Sequence, residues 1–185
     1  MNHIYQLPQF GEDWFNYKDF YKSMVKKFPY GSKFIEIGSW KGKSSAYLAV
    51  EIINSKKNIT LDCIDTWKGS SEHVAYENII SDDLYELFIK NISSLLSVIN
   101  PVRLDSISAS KNYEDKTIDF IFIDGSHDYE NVKADINAWL PKVKFGGIIS
   151  GHDYGSWKTV TKAVDEFFED KKVLIIGDCW IYENN

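Results

Sequence analysis

Residues 118–124, IDFIFID, are almost wholly apolar and end on a carboxylate. A strand can be apolar on both faces only when both are covered, so this run belongs inside a sheet with helices above and below it. Other strand-like runs stand around it: about 33–37, 59-ITLDCID-65, a short one near Val102–Leu104, 148-IISGHD-153, 172-KVLII-176 and 179-CWIYE-183. Helical stripes separate them, carried by Tyr47, Leu48, Val50 and Ile52, by Leu84, Leu87, Phe88, Leu95 and Leu96, by Val132, Ile136, Trp139 and Leu140, and by Val160–Phe168. Strands alternating with helices predict right-handed βαβ units and a doubly wound, mainly parallel α/β sheet. The chain has no internal repeat and no linker. At 185 residues it reads as a single domain, with residues 1–32 as a helical cap on a core of 33–185.

Composition narrows the partners. The net charge of −6 argues against a nucleic-acid ligand, which needs a surface rich in Lys and Arg. Cys63 and Cys179 each sit in an apolar strand-like run, as buried free thiols do in a reducing compartment. No apolar run approaches the ~18 residues of a membrane span, and MNHIYQLPQF lacks a signal-peptide pattern. The expected location is cytoplasmic.

The stretch 34-FIEIGSWKGKSS-45 is a strand, a glycine turn and a helix start at Ser44 or Ser45. Three ligand classes use such a turn. A phosphate loop needs four residues between its glycines, and three separate Gly38 from Gly42. Glu36 also opposes a phosphate if it faces the site, by about 4 kcal/mol for like charges ~4 Å apart at an effective dielectric of ~20. A dinucleotide fingerprint needs glycine two residues after Gly38, where Trp40 stands. S-adenosylmethionine, with its ammonium and sulfonium, is instead attracted by an acid, and Glu36-x-Gly38-xxx-Gly42 has the matching form.

Residues further on support that third ligand. Asp65 ends the second strand, where a carboxylate can accept both hydroxyls of a ribose; the alternative is an acid capping the next loop. Trp67 either stacks on an adenine or packs under the loop. Asp105 and Ser106 follow the third strand, where an adenine-contacting loop should lie. The segment Lys68–Asp83, with His73 inside it, is a candidate mobile acceptor loop or an ordinary surface loop. Trp14, Phe15, Tyr17, Phe20, Tyr21, Met24, Val25 and Phe28 sit at helical spacing from about Asp13 to Phe28, where core packing outweighs a role in covering the site or in an oligomer contact.

A second constellation lies at the ends of strands four and five. Asp124 is followed by 125-GSHDY-129, and His152 and Asp153 close 148-IISGHD-153. Ligands of open parallel sheets lie beyond the carboxyl ends of the strands, so these side chains should share one crevice. Asp124, His152 and Asp153 form a candidate divalent-metal set. A bound cation would lower the pKa of a substrate hydroxyl, and His127 or His152 could take the proton. The alternative is that these groups cap loops, Asp128 in particular being placed as an N-cap.

FIEIGSWKGKSS, DCIDTWKGS, IDFIFIDGSHDYENVKADINAWLPKVKFGGIISGHDY and VTKAVDEFF…CWIYE together resemble the class I S-adenosylmethionine-dependent methyltransferases. More narrowly, they are similar to the branch of macrocin-type sugar O-methyltransferases and cephalosporin-hydroxylase-like proteins. The resemblance implies a Rossmann-like sheet of seven strands with the last antiparallel, helices on both faces, and cofactor at the carboxyl edge. It implies that Glu36, Gly38 and Gly42 line the methionine end, with Ser39, Trp40 and Ser44 of the same turn among the cofactor-binding residues. Asp65 then takes the ribose; Trp67, Asp105 and Ser106 stand beside it as read above, and Asp124 counts among both the cofactor-binding and the catalytic residues. Asp124 and Asp153 match metal-binding acids, with Mg2+ or Mn2+ as the cation, and His127 matches a general base. His152 departs from the pattern, which has an acid there, and leaves a metal-free mechanism open.

The expected activity is therefore O-methylation of a small-molecule hydroxyl, sugar-like or from a natural product, with homo-oligomerisation left open. Two rivals remain: a non-catalytic protein or partner subunit that binds the same cofactor, and a phosphotransferase using residues 38–44.

Overall fold

A computed structural model describes residues 1–11, 14–69, 81–169 and 171–185. The central run forms β4 (Ile118–Ile123), all six residues buried, between β1 (Lys33–Ile37) and β5 (Val143–Gly151). β2 (Thr60–Asp65) and β3 (Ile99–Arg103) extend the sheet on one side, and β7 (Cys179–Glu183) and β6 (Leu174–Ile176) on the other. The seven-stranded order is β3-β2-β1-β4-β5-β7-β6, with β1 to β5 pairing in parallel and β7 antiparallel to both its neighbours. This is the expected Rossmann-like sheet. Its order reverses between β1 and β4, the place where such sheets open a crevice for ligand.

Strand alternation sorts the core by side-chain type. Phe34, Phe120 and Phe122 point to one face, where they meet Phe20 and Tyr21 of α1 (Lys18–Lys27) and Ala46, Leu48 and Ala49 of α2 (Lys43–Ser55). Ile35, Ile37, Ile121 and Ile123 point to the other, against Val132, Ile136 and Trp139 of α5 (Tyr129–Trp139) and Ala163 and Val164 of α6 (Lys158–Phe168). α3 (Ser81–Asn91) and the short α4 (Ser106–Ser110) complete the two layers.

Several boundaries differ from those expected: α3 ends at Asn91, short of Leu95 and Leu96, β5 begins at Val143 and takes in the KFGG stretch, and β6 begins at Leu174. β3 begins at Ile99, earlier than expected, because Asn100 and Pro101 interrupt its apolar pattern. As the sheet's outer strand it tolerates a proline, which has no N–H to give to a ladder. The first helix begins at Lys18, so Trp14–Tyr17 precede it. Phe15 and Tyr17 are still buried as expected, but Asn16 and Tyr17 are held by polar contacts with the sheet edge rather than by helical packing. His73 and most of the expected acceptor loop lie outside the described residues.

Candidate active site

The strand ends bring the two constellations together. Gly38 has φ 85°, and a Cβ there would lie 2.0 Å from the carbonyl oxygen of Asp124, so only glycine lets β1 and β4 run this close at the point of reversal. Gly42 has φ 87° and begins α2; a Cβ on it would meet the side chains of Ile92 and Phe88 at 3.0 and 3.1 Å. The two glycines are thus set by strand and helix packing before any ligand is considered.

Glu36, expected to line the cofactor site, points into the aromatic layer, is fully buried and is not among the residues lining the main cleft. Tyr21 donates to one oxygen at 2.9 Å, and Ser39 (2.9 Å) and Ser45 donate to the other, with the Cys63 sulfur at 3.6 Å. Burial raises its pKa despite those donors. The carboxyl group ties β1, α1 and the start of α2 into one unit behind the turn.

Asp65 does two things at once. Oδ2 accepts the backbone N–H groups of Ser39 and Trp40 at 2.9 and 3.0 Å, and Oδ1 accepts that of Trp67 at 2.7 Å. It also lines the main cleft. Two N–H groups of the glycine turn, the kind of donors a phosphate loop offers its ligand, are therefore already given to a carboxylate.

That cleft, of about 410 Å³, falls in the size range of small-molecule sites. Gly38, Trp40, Asp65, Asp105, Ser106 and Asp124 line it, six of the residues expected to hold the cofactor. Ser39, Gly42 and Ser44, expected with them, are not among its lining residues. Trp67 takes the packing alternative: it is fully buried, 4.6 Å from the Phe88 ring and 5.0 Å from that of Tyr85, and donates its indole N–H to the Trp40 carbonyl at 3.0 Å. Asp105 caps α4 by accepting the Ser108 N–H at 2.8 Å, which holds its pKa down. The sequence reading missed Leu104, Ile107, Asn131 and Asp135 on the far wall. Asp135 is the notable one, a nearly buried acid on α5 whose pKa burial pushes up to about 6. Its place on a helix that otherwise reads as an amphipathic stripe gave no signal.

Asp124 lines both this cleft and a smaller pocket shared with His127, His152 and Asp153. One ligand atom each from Asp124, His152 and Asp153 lies within 4.8 Å of the others. His152 Nδ1 is 3.2 Å from Asp153 Oδ1 and 3.8 Å from Asp124 Oδ1. The remaining atom of each ligand is tied elsewhere: Tyr17 donates to Asp124 Oδ2 at 2.6 Å, His127 Nε2 is 2.9 Å from Asp153 Oδ2, and His152 Nε2 is 2.9 Å from Asn16 Oδ1. Two carboxylates and an imidazole aimed at one space fit a divalent cation, with the nitrogen favouring Mn2+ over Mg2+.

The electrostatics follow from this crowding. Burial raises the pKa of Asp124, and neighbouring Asp153 adds to the rise. Asp153 would also rise on burial, yet hydrogen bonds from His127 and His152 hold it well below the usual carboxylate range. For His152 burial acts downward, but Asp153 and Asp124 raise it overall. Burial, then repulsion from Asp124 and Glu36, keeps the Tyr17 phenol protonated far above neutral pH, so it is a fixed donor. Asp153 itself has φ 65°, uncommon for a residue with a side chain and more often tolerated by Asp, which fits strain held at a working site. Asp128 is the N-cap expected of it, accepting from Glu130 and Asn131. His127 stacks on Trp157, ring centres 4.3 Å apart.

Residues 35–154 match the family model described as a methyltransferase domain. The chain belongs to that family. It is a class I, S-adenosylmethionine-dependent methyltransferase domain, and the fold agrees. The O-methyltransferase NovP superposes with a TM-score of 0.69 over 91% of this chain and 79% of its own, at 16% identity. SMU.1697c of Streptococcus mutans, solved with S-adenosylhomocysteine, gives a TM-score of 0.62 over 90% and 97% at 10% identity. Among curated sequences, the uncharacterized protein y4gI of Sinorhizobium fredii (strain NBRC 101917 / NGR234) is 26% identical over 102 residues, which are 51% of this chain and 11% of y4gI. The chain thus matches a small part of that relative's length. Among the described residues, no helix is long and apolar enough to cross a membrane.

Proposed function

We propose that this domain transfers the methyl group of S-adenosylmethionine to a hydroxyl of a small molecule, sugar-like or of natural-product type, with a divalent cation at Asp124, His152 and Asp153. The observation that carries this reading is the position of Asp124, which belongs to the wall of the cofactor-sized cleft and to the acid–histidine cluster alike. A cofactor lying along Asp65, Asp105 and Gly38 would end at that carboxylate, and an acceptor held by the cluster would meet it there. The likeness to NovP favours oxygen as the acceptor atom.

The transfer is an in-line displacement: the acceptor oxygen forms a bond to the methyl carbon as the carbon–sulfur bond breaks, and the electron pair stays on sulfur as the neutral thioether. The hydroxyl proton leaves to a base. The chain's tasks are alignment and proton removal, each of which lowers the barrier without covalent participation. His127 is the candidate base, oriented by Asp153 at 2.9 Å and by the Trp157 ring, a base–orienter pair of the kind that fixes a histidine for proton transfer. When bound, a divalent cation supplies Lewis-acid stabilisation of the acceptor oxygen as its proton is lost.

The phosphotransferase alternative is weakened by Asp65, whose carboxylate occupies the turn's N–H groups. The experiment is a thermal-shift comparison followed by an acceptor panel. S-adenosylmethionine should raise the melting temperature and ATP with magnesium should not, and labelled methyl should appear on a hydroxyl compound. A larger shift with ATP would overturn the reading. Cofactor binding with no transfer across a broad acceptor panel would favour the non-catalytic alternative.

A further inference from the structure

The cluster's least expected member is Asn16, an exposed residue from the segment ahead of α1. Its side chain bridges two groups at the sheet edge. Nδ2 donates to Asp178 Oδ2 at 3.1 Å, and Oδ1 faces His152 Nε2 at 2.9 Å. Asp178 lies in the β6–β7 turn and is itself held, since its carbonyl accepts the Tyr154 N–H at 3.0 Å.

This bridge decides which nitrogen of His152 carries the proton. A carboxylate accepts and does not donate, so the Asn16 amide must turn its NH2 toward Asp178. Its carbonyl oxygen is then the atom left for His152, and an oxygen that only accepts requires Nε2 to be the N–H. Neutral His152 consequently presents a lone pair on Nδ1. That lone pair faces Asp153 Oδ1 at 3.2 Å and Asp124 Oδ1 at 3.8 Å. Three acceptors confronting one another call for a positive charge between them: a second proton, on Nδ1, which makes His152 an imidazolium donating to Asp153, or a cation in that proton's place. The Tyr17 ring, centred 4.8 Å from that of His152, packs beside the imidazole, and the ring is nearly buried.

We infer that Asn16, braced by Asp178, is the positioning residue that fixes His152 as the Nε2–H tautomer and aims its Nδ1 lone pair into the space shared with Asp124 and Asp153. The metal part of this inference rests on the proposed cation site; the tautomer part does not. It gives the one departure from an all-acid ligand set its own supporting residue. In metal sites generally, a histidine ligand donates its second ring N–H to an outer partner that sets its orientation and basicity. Here that partner is an amide rather than a carboxylate, held in its one useful orientation by an acid beyond it.

Two measurements separate the parts. Nitrogen-15 NMR of the metal-free protein at alkaline pH, where the imidazole is neutral, reads the tautomer directly. The wild type should show His152 with the proton on Nε2, while Asn16→Ala and Asp178→Ala should show a mixture of tautomers. A wild-type proton on Nδ1, or a tautomer unmoved in Asn16→Ala, overturns the inference. Mn2+ alone, titrated while free ion is followed by electron paramagnetic resonance, reads the ligand role. Asn16→Ala should raise the Mn2+ dissociation constant by about 10- to 100-fold, the usual cost of losing an outer partner. Equal affinity in wild type and Asn16→Ala overturns the positioning role. A wild type that binds no Mn2+ sinks the cation reading itself, and the tautomer spectrum then decides the Asn16 assignment by itself.

Discussion

The Asp65 carboxylate accepts the Ser39 N–H at 2.9 Å, tying the end of β2 to the glycine turn that follows β1. With the bonds from Trp40 and Trp67, it holds three backbone donors while still facing the cleft. A ribose hydroxyl would therefore bind to an acid that also shapes the turn beside it.

Asp65→Ala should consequently do more than remove a ligand contact. Loss of the ribose bond alone would weaken S-adenosylmethionine by about ten- to a hundredfold, since a hydrogen bond to a charged group is worth roughly 1.5–3 kcal/mol. Leaving the turn's N–H groups unpaired should also lower stability by about 1–3 kcal/mol. Asp65→Asn keeps an acceptor oxygen and should lose less of both. Calorimetry with urea denaturation checks the pair, and unchanged affinity in a folded Asp65→Ala protein would remove Asp65 from the cofactor site.

The contrast between Asp65 and Glu36 explains how far the sequence could be read. Strands, their alternation with helices and the acids at their ends are carried by local apolar patterns, so the sheet and the two polar clusters could be anticipated. Which side of a strand an acid occupies depends on register against the layers. Glu36 shares its face with Phe34, so it is buried, and four residues from three separate segments satisfy it. Trp67 was undecidable for the same reason, because its burial depends on Tyr85 and Phe88, distant in sequence. Asn16 carried no signal at all: its role exists only because Asp178, far along the chain, meets it at the sheet edge.

Asp135 gives a pH prediction. Burial raises its folded pKa to about 6, against an unfolded value of ~3.9. The folded state therefore binds more protons between those values, so stability rises as pH falls through that window and is lost as pH rises through about 6. The group is nearly fully buried, and a difference of about two units corresponds to roughly 2–3 kcal/mol. Asp135→Asn, neutral at every pH and close to the acid in shape, should stabilise the protein by about that much near pH ~8 and flatten the dependence. Urea midpoints measured at several pH values test it; a mutant with the wild-type pH slope would show that Asp135 is ionised in the fold at little cost.

Lys43 separates the cofactor reading from the phosphate one. It is the first residue of α2, and its ammonium lies 3.3 Å from the Gly11 carbonyl. A phosphate loop would depend on such a lysine, whereas a sulfonium ligand gains nothing from a nearby cation. Lys43→Ala should leave S-adenosylmethionine affinity within about twofold, well under the ~1.4 kcal/mol of a tenfold change. Calorimetry reads it, and a hundredfold loss would revive the phosphate reading.

The proposed base and the proposed metal ligand meet at Asp153, which makes the cluster separable by experiment. One of its oxygens faces His127 and the other faces His152. If His127 is the base, His127→Ala should lower turnover by ~10²- to 10⁴-fold, and the acidic limb of the rate profile should vanish. Added metal should not restore it. Asp153→Asn should make activity depend on much higher metal, with cofactor affinity nearly unchanged, because in the proposed site the cation would contact the acceptor. It should also cost turnover that metal cannot return, since an amide turning NH2 toward His127 no longer accepts its N–H. His152→Ala removes a ligand and leaves the His127–Asp153 pair, so excess Mn2+ should recover part of its activity. Chelator should silence the wild type and Mn2+ should revive it. If chelated wild type keeps full turnover and His127→Ala keeps the wild-type pH profile, then neither the cation nor His127 drives the reaction, and His152 becomes the base to test next.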